Sequence, residues 1–130
     1  SGLGVHDGRL KPPARTPNSV SSQADLYPDH PQQQFARIAP IRFNSTPEQA
    51  MARIVAILQT MQGTVIVTNA PDYIYAQSTT QLLKFTDDIE FWLDRSAGVI
   101  QVRSASRLGQ KDFDVNRNRV EAIRAKFNAS

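Results

Sequence analysis

The sharpest hydrophobic pattern in the chain lies between Asp88 and Leu93, where apolar and polar residues alternate. In an extended segment Ile89 and Phe91 would share one side with Leu93, and the other side would carry Asp88, Glu90 and Trp92. A second run of this kind covers residues 99–104. Alternation with a period of two is typical of a strand with one buried face, so both runs are predicted to be β-strands.

The two runs fit together in one antiparallel register. With residues 95–98 as the loop and Asp94 opposite Val99, apolar residues face apolar partners, whereas a shift of one residue would mix the two faces. This register places Glu90 opposite Arg103 on the polar side. We expect that pair to be exposed, to contribute only about 0.2–1 kcal/mol, and to matter mainly for positioning.

Two further strands are predicted ahead of this hairpin. Residues 64–68 are β-branched and apolar, residues 73–79 alternate, and residues 69–72 have the composition of a turn. Because the connections are short, the four strands are expected to form an antiparallel meander.

One helix is predicted before the four strands and another after them. Thr46, Pro47 and Gln49 form the signature of a capped helix start, and apolar residues then recur at helical spacing as far as Met61. The last helix is predicted to begin near Asp114, a good N-cap, and to carry a basic face. A solvated helix face is the simplest interpretation of those basic residues.

The first part of the chain is rich in proline and polar residues and lacks apolar periodicity. We interpret residues 1–34 as an irregular N-terminal arm that drapes over the domain, and residues 35–130 as a single α+β domain that opens with an extended segment at 35–43. The predicted fold class is therefore α+β: a four-stranded antiparallel β-meander with two helices packed on one face and an irregular N-terminal arm.

Composition excludes several classes of function. The chain has no cysteine, which rules out a thiol nucleophile and a thiolate metal site. His6 and His30 both lie in the arm without ligand spacing, so we predict no metal site and no cofactor. No apolar stretch is long enough to span a membrane, and no signal peptide is visible.

Charge is concentrated at the C-terminal end, where residues 103–130 carry seven basic and three acidic side chains. An anion site near the start of the last helix is one possible use of them, although Asp112 and Asp114 would compete for the same donors. Nucleic-acid binding is not expected, since Asp88 and Glu90 share the polar sheet face with the aromatic residues that would have to stack on bases.

The main candidate site is a set of polar residues that is larger than the fold needs. Asp88 and Glu90 within it suggest acid–base chemistry, but Arg103 offers them a structural partner, so no catalytic residue is assigned and an enzyme is the less favoured alternative. The other two hypotheses are a surface that binds a protein partner or a small-molecule ligand, and a purely structural network. The set consists of Asp87, Asp88, Glu90, Arg103, Arg107, Asp112, Asn116 and Arg119.

Three ordered motifs also resemble a known family. They are Pro-Asn-Ser-Val-Ser-Ser at 17–22, Phe-Thr-Asp-Asp-Ile-Glu-Phe at 85–91, and the basic run that starts with Arg-Ser-Ala-Ser-Arg-Leu-Gly at 103–109 and continues to Arg124. Together they resemble the family catalogued as domain of unknown function 1499, over most of residues 7–125. The family often has cysteine where this chain has Ser19, so any thiol role of that position in relatives is missing here.

The resemblance implies a location but no activity. Family members look like small exported bacterial proteins or lipoproteins, so we expect the periplasm or cell envelope and possible membrane anchoring through a removed N-terminal lipoprotein signal. The resulting prediction is a non-catalytic exported domain whose protein partner or small ligand is unknown.

Overall fold

A computed structural model describes residues 2–80 and 84–129 of the chain. Within these residues the protein is α+β and contains a six-stranded antiparallel sheet, three α-helices and a 3-10 turn at Ala24–Leu26. The elements in chain order are β1 Ser19–Ser21, α1 Gln33–Ala36, β2 Ile41–Arg42, α2 Pro47–Gln59, β3 Thr64–Ala70, β4 Tyr73–Thr79, β5 Thr86–Asp94, β6 Val99–Ser106 and α3 Val115–Ala129.

The expected meander is present, but the sheet has six strands and not four. Strands β3 to β6 pair consecutively and antiparallel, and the sheet order is β1-β6-β5-β4-β3, with β2 also pairing with β6. The two additional strands are short segments from the first third of the chain that cover the outer edge of β6. Such short strands carry too few apolar positions to be recognised by alternation: β1 contributes only Val20 to the core.

The predicted register of the β5–β6 hairpin is confirmed. Asp94 pairs with Val99, Leu93 with Ile100 and, further along, Glu90 with Arg103. Phe91 and Leu93 are buried in the core, which lies between this face of the sheet and the helices α2 and α3. We call this the helix face of the sheet, and the opposite side the arm face.

Helix α2 begins as predicted. The Thr46 hydroxyl accepts a hydrogen bond from the Gln49 backbone N–H at 3.1 Å, and the Gln49 side chain accepts one from the Thr46 N–H at 3.3 Å. Helix α3 begins one residue after Asp114, but the carboxylate that accepts from its first turn is Asp112, whose Oδ2 lies 3.3 Å from the Asn116 nitrogen. None of the helices in the described part of the chain has the length and apolarity of a membrane span.

The N-terminal arm docks on the domain and is more regular than expected. Leu10 is 1% exposed and Val20 is fully buried, whereas Leu26 stays 42% exposed. The arm turns tightly at Asp7 and Gly8, which have φ of 55° and 72°, and a backbone bridge joins the flanking residues. Residues 4–16 reach the arm face of the sheet, so a surface that the alternation pattern marks as solvent-facing is covered.

Candidate functional site

The sheet separates the eight candidate residues into two groups of four. Because successive side chains of a strand point to opposite faces, adjacent Asp87 and Asp88 of β5 lie on different sides. The inner cluster, on the helix face, contains Asp87, Asp112, Asn116 and Arg119. The outer cluster, on the arm face, contains Asp88, Glu90, Arg103 and Arg107. The structure therefore brings the predicted residues together as two sites and not as one.

The inner cluster is anchored by a buried ion pair between β5 and α3. Arg119 Nη2 lies 2.7 Å from Asp87 Oδ2, and the two side chains are 8% and 4% exposed. Arg119 Nη1 also donates to Asn116 Oδ1 at 2.7 Å and to the Ser104 hydroxyl at 3.2 Å. Removing one partner of such a pair costs more than a surface pair contributes, since a charge would stay buried without a counterpart.

Asn116 connects the inner cluster to β6 and to the segment before β1. Its side chain is fully buried; Oδ1 accepts from the Ser104 hydroxyl at 2.7 Å, and Nδ2 donates to Asp112 Oδ2 at 2.9 Å and to the Asn18 carbonyl at 3.1 Å. Nδ2 also lies 2.9 Å from the Ser106 hydroxyl. Every polar atom of this side chain has a partner, which is what a buried structural network requires.

The outer cluster is built around the Asp88 carboxylate. Arg107 binds it with two hydrogen bonds of 3.0 Å, and the Tyr75 hydroxyl donates a short one. Burial raises the pKa of Asp88, but the hydrogen bonds from Arg107 and Tyr75 and the charges of Arg107 and Arg103 outweigh it and hold the pKa below its ordinary value of 3.8. The pKa of Arg107 is raised by the same contacts. Asp88 is therefore ionised at neutral pH and its oxygens are occupied.

Glu90 is fully buried, which contradicts the expectation of an exposed pair with Arg103. Its Oε2 accepts from the Gly4 backbone N–H at 2.7 Å and from the Tyr73 hydroxyl at 2.6 Å, while Oε1 is buried without a hydrogen-bond partner. Burial and the hydrogen bond to Glu90 raise the pKa of Tyr73 well above its ordinary value of 10.0, so the hydroxyl keeps its proton and donates it. The arm covers this carboxylate, and for that reason the pair is not exposed.

Arg103 is 3% exposed and is bound by the arm, not by a carboxylate at contact distance. Its Nε and Nη2 donate to the Pro12 carbonyl at 3.1 and 2.9 Å. Burial lowers the pKa of Arg103, against the opposing effect of Glu90 and Asp88, although arginine stays charged in any accessible range. The buried carboxylate of Glu90 thus balances the charge of Arg103 across the strand pair without a direct ion pair.

A groove of about 1030 Å³ lies between the arm and the arm face of the sheet. Residues 11–16 of the arm form one wall, and Tyr75, Asp88, Arg103 and Arg107 belong to the sheet side. We call it the arm groove. Its lining contains four arginine or lysine side chains and one carboxylate, Asp88, which Arg107 already neutralises; the other three cations are Lys11, Arg15 and Arg103.

The basic face of α3 is used inside the molecule. Arg117 donates to the Arg37 carbonyl at 2.7 Å and to the Phe35 carbonyl, and Arg124 donates to the carbonyls of Ala39 and Pro40 at 2.7 Å each. These arginines hold the segment before β2 against the helix. The interpretation of a solvated basic face is wrong for them. Of the four basic residues that could form an anion site near the start of α3, three are bound by protein partners, Arg107, Arg117 and Arg119, and the fourth is Lys111.

Within the described ranges, 2–80 and 84–129, no group of three or more histidine or carboxylate side chains lies close enough together to hold a metal ion. His30 lines the arm groove, but its Nδ1 accepts the backbone N–H of Gln32 at 3.0 Å.

Several residues of these sites were missed at the level of sequence. Tyr73 and Tyr75 bind the two outer carboxylates, and the alternation of β4 already places both on that face. The same period-two pattern places Asp87 and Asp88 on opposite faces, so it could have predicted that the eight candidate residues form two groups. Lys11 and Arg15 had no such signal, because the arm has no periodicity that fixes their direction.

A comparison with family models finds one match, described as a protein of unknown function (DUF1499), which covers residues 9–127 of the chain. The match includes the arm from Arg9 onward, both clusters and nearly all of α3. No curated protein and no solved structure matches the chain. Since the family model spans most of the sequence, this chain belongs to the DUF1499 family.

Proposed function

We propose that this protein is a non-catalytic domain of the cell envelope that binds a small anionic molecule in the arm groove. The observation that best supports this proposal is the positive charge of the residues that line the arm groove. Lys11 and Arg15 are exposed on the arm wall and make no hydrogen bond or ion pair with any described residue, while Arg107 neutralises the only carboxylate found among the described residues of the groove. Unpaired cations around a concave surface favour a carboxylate or phosphate ligand.

The size of the groove and its floor support the same conclusion. A volume of about 1030 Å³ suits a small ligand. Arg103 and Tyr75 are held in place by Pro12 and Asp88, so the polar groups under the groove are already oriented before anything binds. Asn18, which also lines the groove, has a buried side-chain oxygen without a protein partner.

A catalytic use of Asp88 and Glu90 has less support. Asp88 is engaged by Arg107 and Tyr75, and Glu90 is buried beneath the arm, so neither carboxylate is presented to a substrate as a free acid or base. If turnover of any substrate were found, Asp88→Asn and Glu90→Gln should reduce it; unchanged turnover in both would exclude this alternative.

The binding proposal can be tested by calorimetric titration of the chain with inorganic phosphate, citrate and glucose 6-phosphate, with glucose as the uncharged control. We expect saturable binding of at least one anion and a rise in Tm at saturating concentration. Arg15→Ala should weaken that binding about tenfold, the loss of one charge-assisted contact. Arg42→Ala is the matched control, because Arg42 is exposed on β2, opposite Val99 at the far end of β6. No saturable binding, or equal affinity in the two variants, would refute the proposal.

The envelope location rests on the resemblance to exported proteins and lipoproteins. Fractionation of cells that express the protein from its natural gene would measure it. Recovery of the protein in the cytoplasmic fraction alone would contradict this part of the proposal while leaving ligand binding untouched.

A further inference from the structure

An exposed apolar surface lies beside the arm groove and shares Arg107 and Gly109 with it. Phe85, Leu108, Phe113 and Val115 are 47%, 70%, 86% and 42% exposed. All four line one open cavity of about 590 Å³. We call these four residues the apolar patch. Single exposed apolar residues are ordinary, but a contiguous group with two phenylalanines points to an interaction surface.

The backbone around the patch contains three residues other than glycine in the left-handed conformation. Phe113 and Asp114 have φ of 51° and 64°, and Lys84, next to Phe85, has φ of 57°. Among the described residues other than glycine, only Asp7 shares this left-handed conformation. A bulky aromatic residue is disfavoured there, and strain of this kind is concentrated at functional sites. Phe113 therefore combines an unfavourable backbone conformation with an exposed aromatic side chain.

The charges around the patch are mostly positive. Lys84, Arg107 and Lys111 are exposed and line the same cavity as the four apolar residues. The two carboxylates of the cavity, Asp87 and Asp112, are buried and bound within the inner cluster. Asp114 is the exposed acidic residue beside Phe113, and its Oδ1 lies 4.0 Å from Nε of Arg117.

We propose that the apolar patch and its basic rim dock this protein on a membrane surface that contains anionic lipid. Phenylalanine and leucine side chains would enter the boundary between headgroups and acyl chains, while Lys84 and Lys111 would lie at the level of the phosphates. An apolar protein partner would explain the exposed side chains but not the basic rim, and a second copy of this chain would place the same cations against each other. The anionic lipid surface accounts for both features.

The proposal can be tested by co-sedimentation of the chain, without any lipid modification, with large unilamellar vesicles. One set contains phosphatidylcholine alone and the other contains phosphatidylglycerol as about a third of the lipid. We expect binding to the anionic vesicles that weakens with added salt. Phe113→Asn combined with Leu108→Asn should reduce it roughly tenfold or more, since two inserted side chains are lost. Asparagine tolerates left-handed φ, so the change at 113 should not harm folding.

Two further variants keep the result interpretable. Val65→Thr combined with Val67→Thr removes exposed apolar groups from β3, where they are 63% and 53% exposed, and should leave vesicle binding unchanged. Lys84→Glu combined with Lys111→Glu should lower binding to anionic vesicles to the level seen on phosphatidylcholine. The proposal is overturned if the wild-type chain does not sediment with anionic vesicles, if the patch variant binds as well as the wild type, or if the patch mediates self-association in solution with no vesicle binding.

Discussion

At the scale of single residues, the polar side chains of β5 determine how the molecule is held together. Asp87 binds α3, Asp88 binds the end of β6 through Arg107, and Glu90 binds the arm through the Gly4 N–H. Three acidic residues within four positions therefore tie three different segments to one strand. Alternation along β5 sends Asp87 to the helix face and the other two to the arm face, where the charges of Arg107 and Arg103 oppose theirs.

The lowered pKa of Asp88 makes stability depend on pH in the acid range. The folded protein holds this carboxylate ionised at a pH where the unfolded chain protonates it. Its contribution to the free energy of unfolding is therefore fully present above about pH 4 and is lost as the pH falls through the folded-state pKa. We expect the stability difference between wild type and Asp88→Asn to be constant from about pH 5 to 7 and to shrink below about pH 4, as measured by urea unfolding. Parallel pH profiles down to about pH 2 would contradict this assignment.

At the scale of elements, the arm is part of the folded domain. Its Leu10 is buried, Gln23 accepts the Leu10 N–H at 2.7 Å, and the Pro12 carbonyl accepts both donors of Arg103. The polar arm face of the sheet is thereby covered by a segment with little apolar content of its own. Val20 of the arm lies in the same hydrophobic core as residues of α2 and α3, and β1 belongs to the same sheet as β6.

Two leucines of the arm allow this packing to be measured. Leu10→Ala should lower the free energy of unfolding by about 2–4 kcal/mol, because it leaves a cavity under the arm. Leu26→Ala removes the same atoms from a side chain that is 42% exposed and should cost about 1 kcal/mol or less. Chemical denaturation of both variants gives the comparison. Equal effects of the two would mean that the arm is not held by Leu10.

The meander and both long helices follow from local signals in the sequence. The capping box at Thr46 and the alternation of β5 and β6 depend only on neighbouring residues, so they can be recognised without tertiary information. The strand Ser19–Ser21 and the burial of Glu90 depend on contacts with residues more than 80 positions away. No period in the sequence encodes such contacts, and for that reason the arm strand and the covered carboxylate were missed.

At the scale of the whole molecule, the sheet acts as a partition between two polar clusters. In the described contacts, no side chain hydrogen-bonds to members of both the inner and the outer cluster. The inner one joins β5, β6, α3 and the segment before β1, and its polar groups are nearly all paired. The outer one is covered by the arm on one side and opens to the arm groove on the other. A network of buried hydrogen bonds thus lies on one face of β5 and β6, and a candidate ligand site lies on the other face.

This separation predicts how mutations combine. Asn116→Ala should lower the free energy of unfolding by about 1–3 kcal/mol, since buried partners lose their hydrogen bonds. Asn118→Ala on the exposed side of α3 should have little effect. Combined with Asp88→Asn, the effect of Asn116→Ala should add within about 0.5 kcal/mol; combined with Asp87→Asn it should not, because Asp87 and Asn116 share Arg119. Thermodynamic double-mutant cycles measure both pairs, and strong coupling between Asp88 and Asn116 would place the two clusters in one network.

The order of the strands along the chain also determines which contacts can form first while the chain is being synthesised. Glu90, the partner of the Gly4 N–H, lies 86 residues further on, and the arm strand Ser19–Ser21 pairs with residues of β6 that follow it by more than 80 positions. During translation the arm strand therefore cannot pair until the segment that forms β6 has been made. Its docking closes the longest loops of the fold, which carry the largest entropy cost and form slowly. The arm of a nascent chain is thus accessible to other factors until the β5–β6 hairpin has formed, and only then can it be fixed in place.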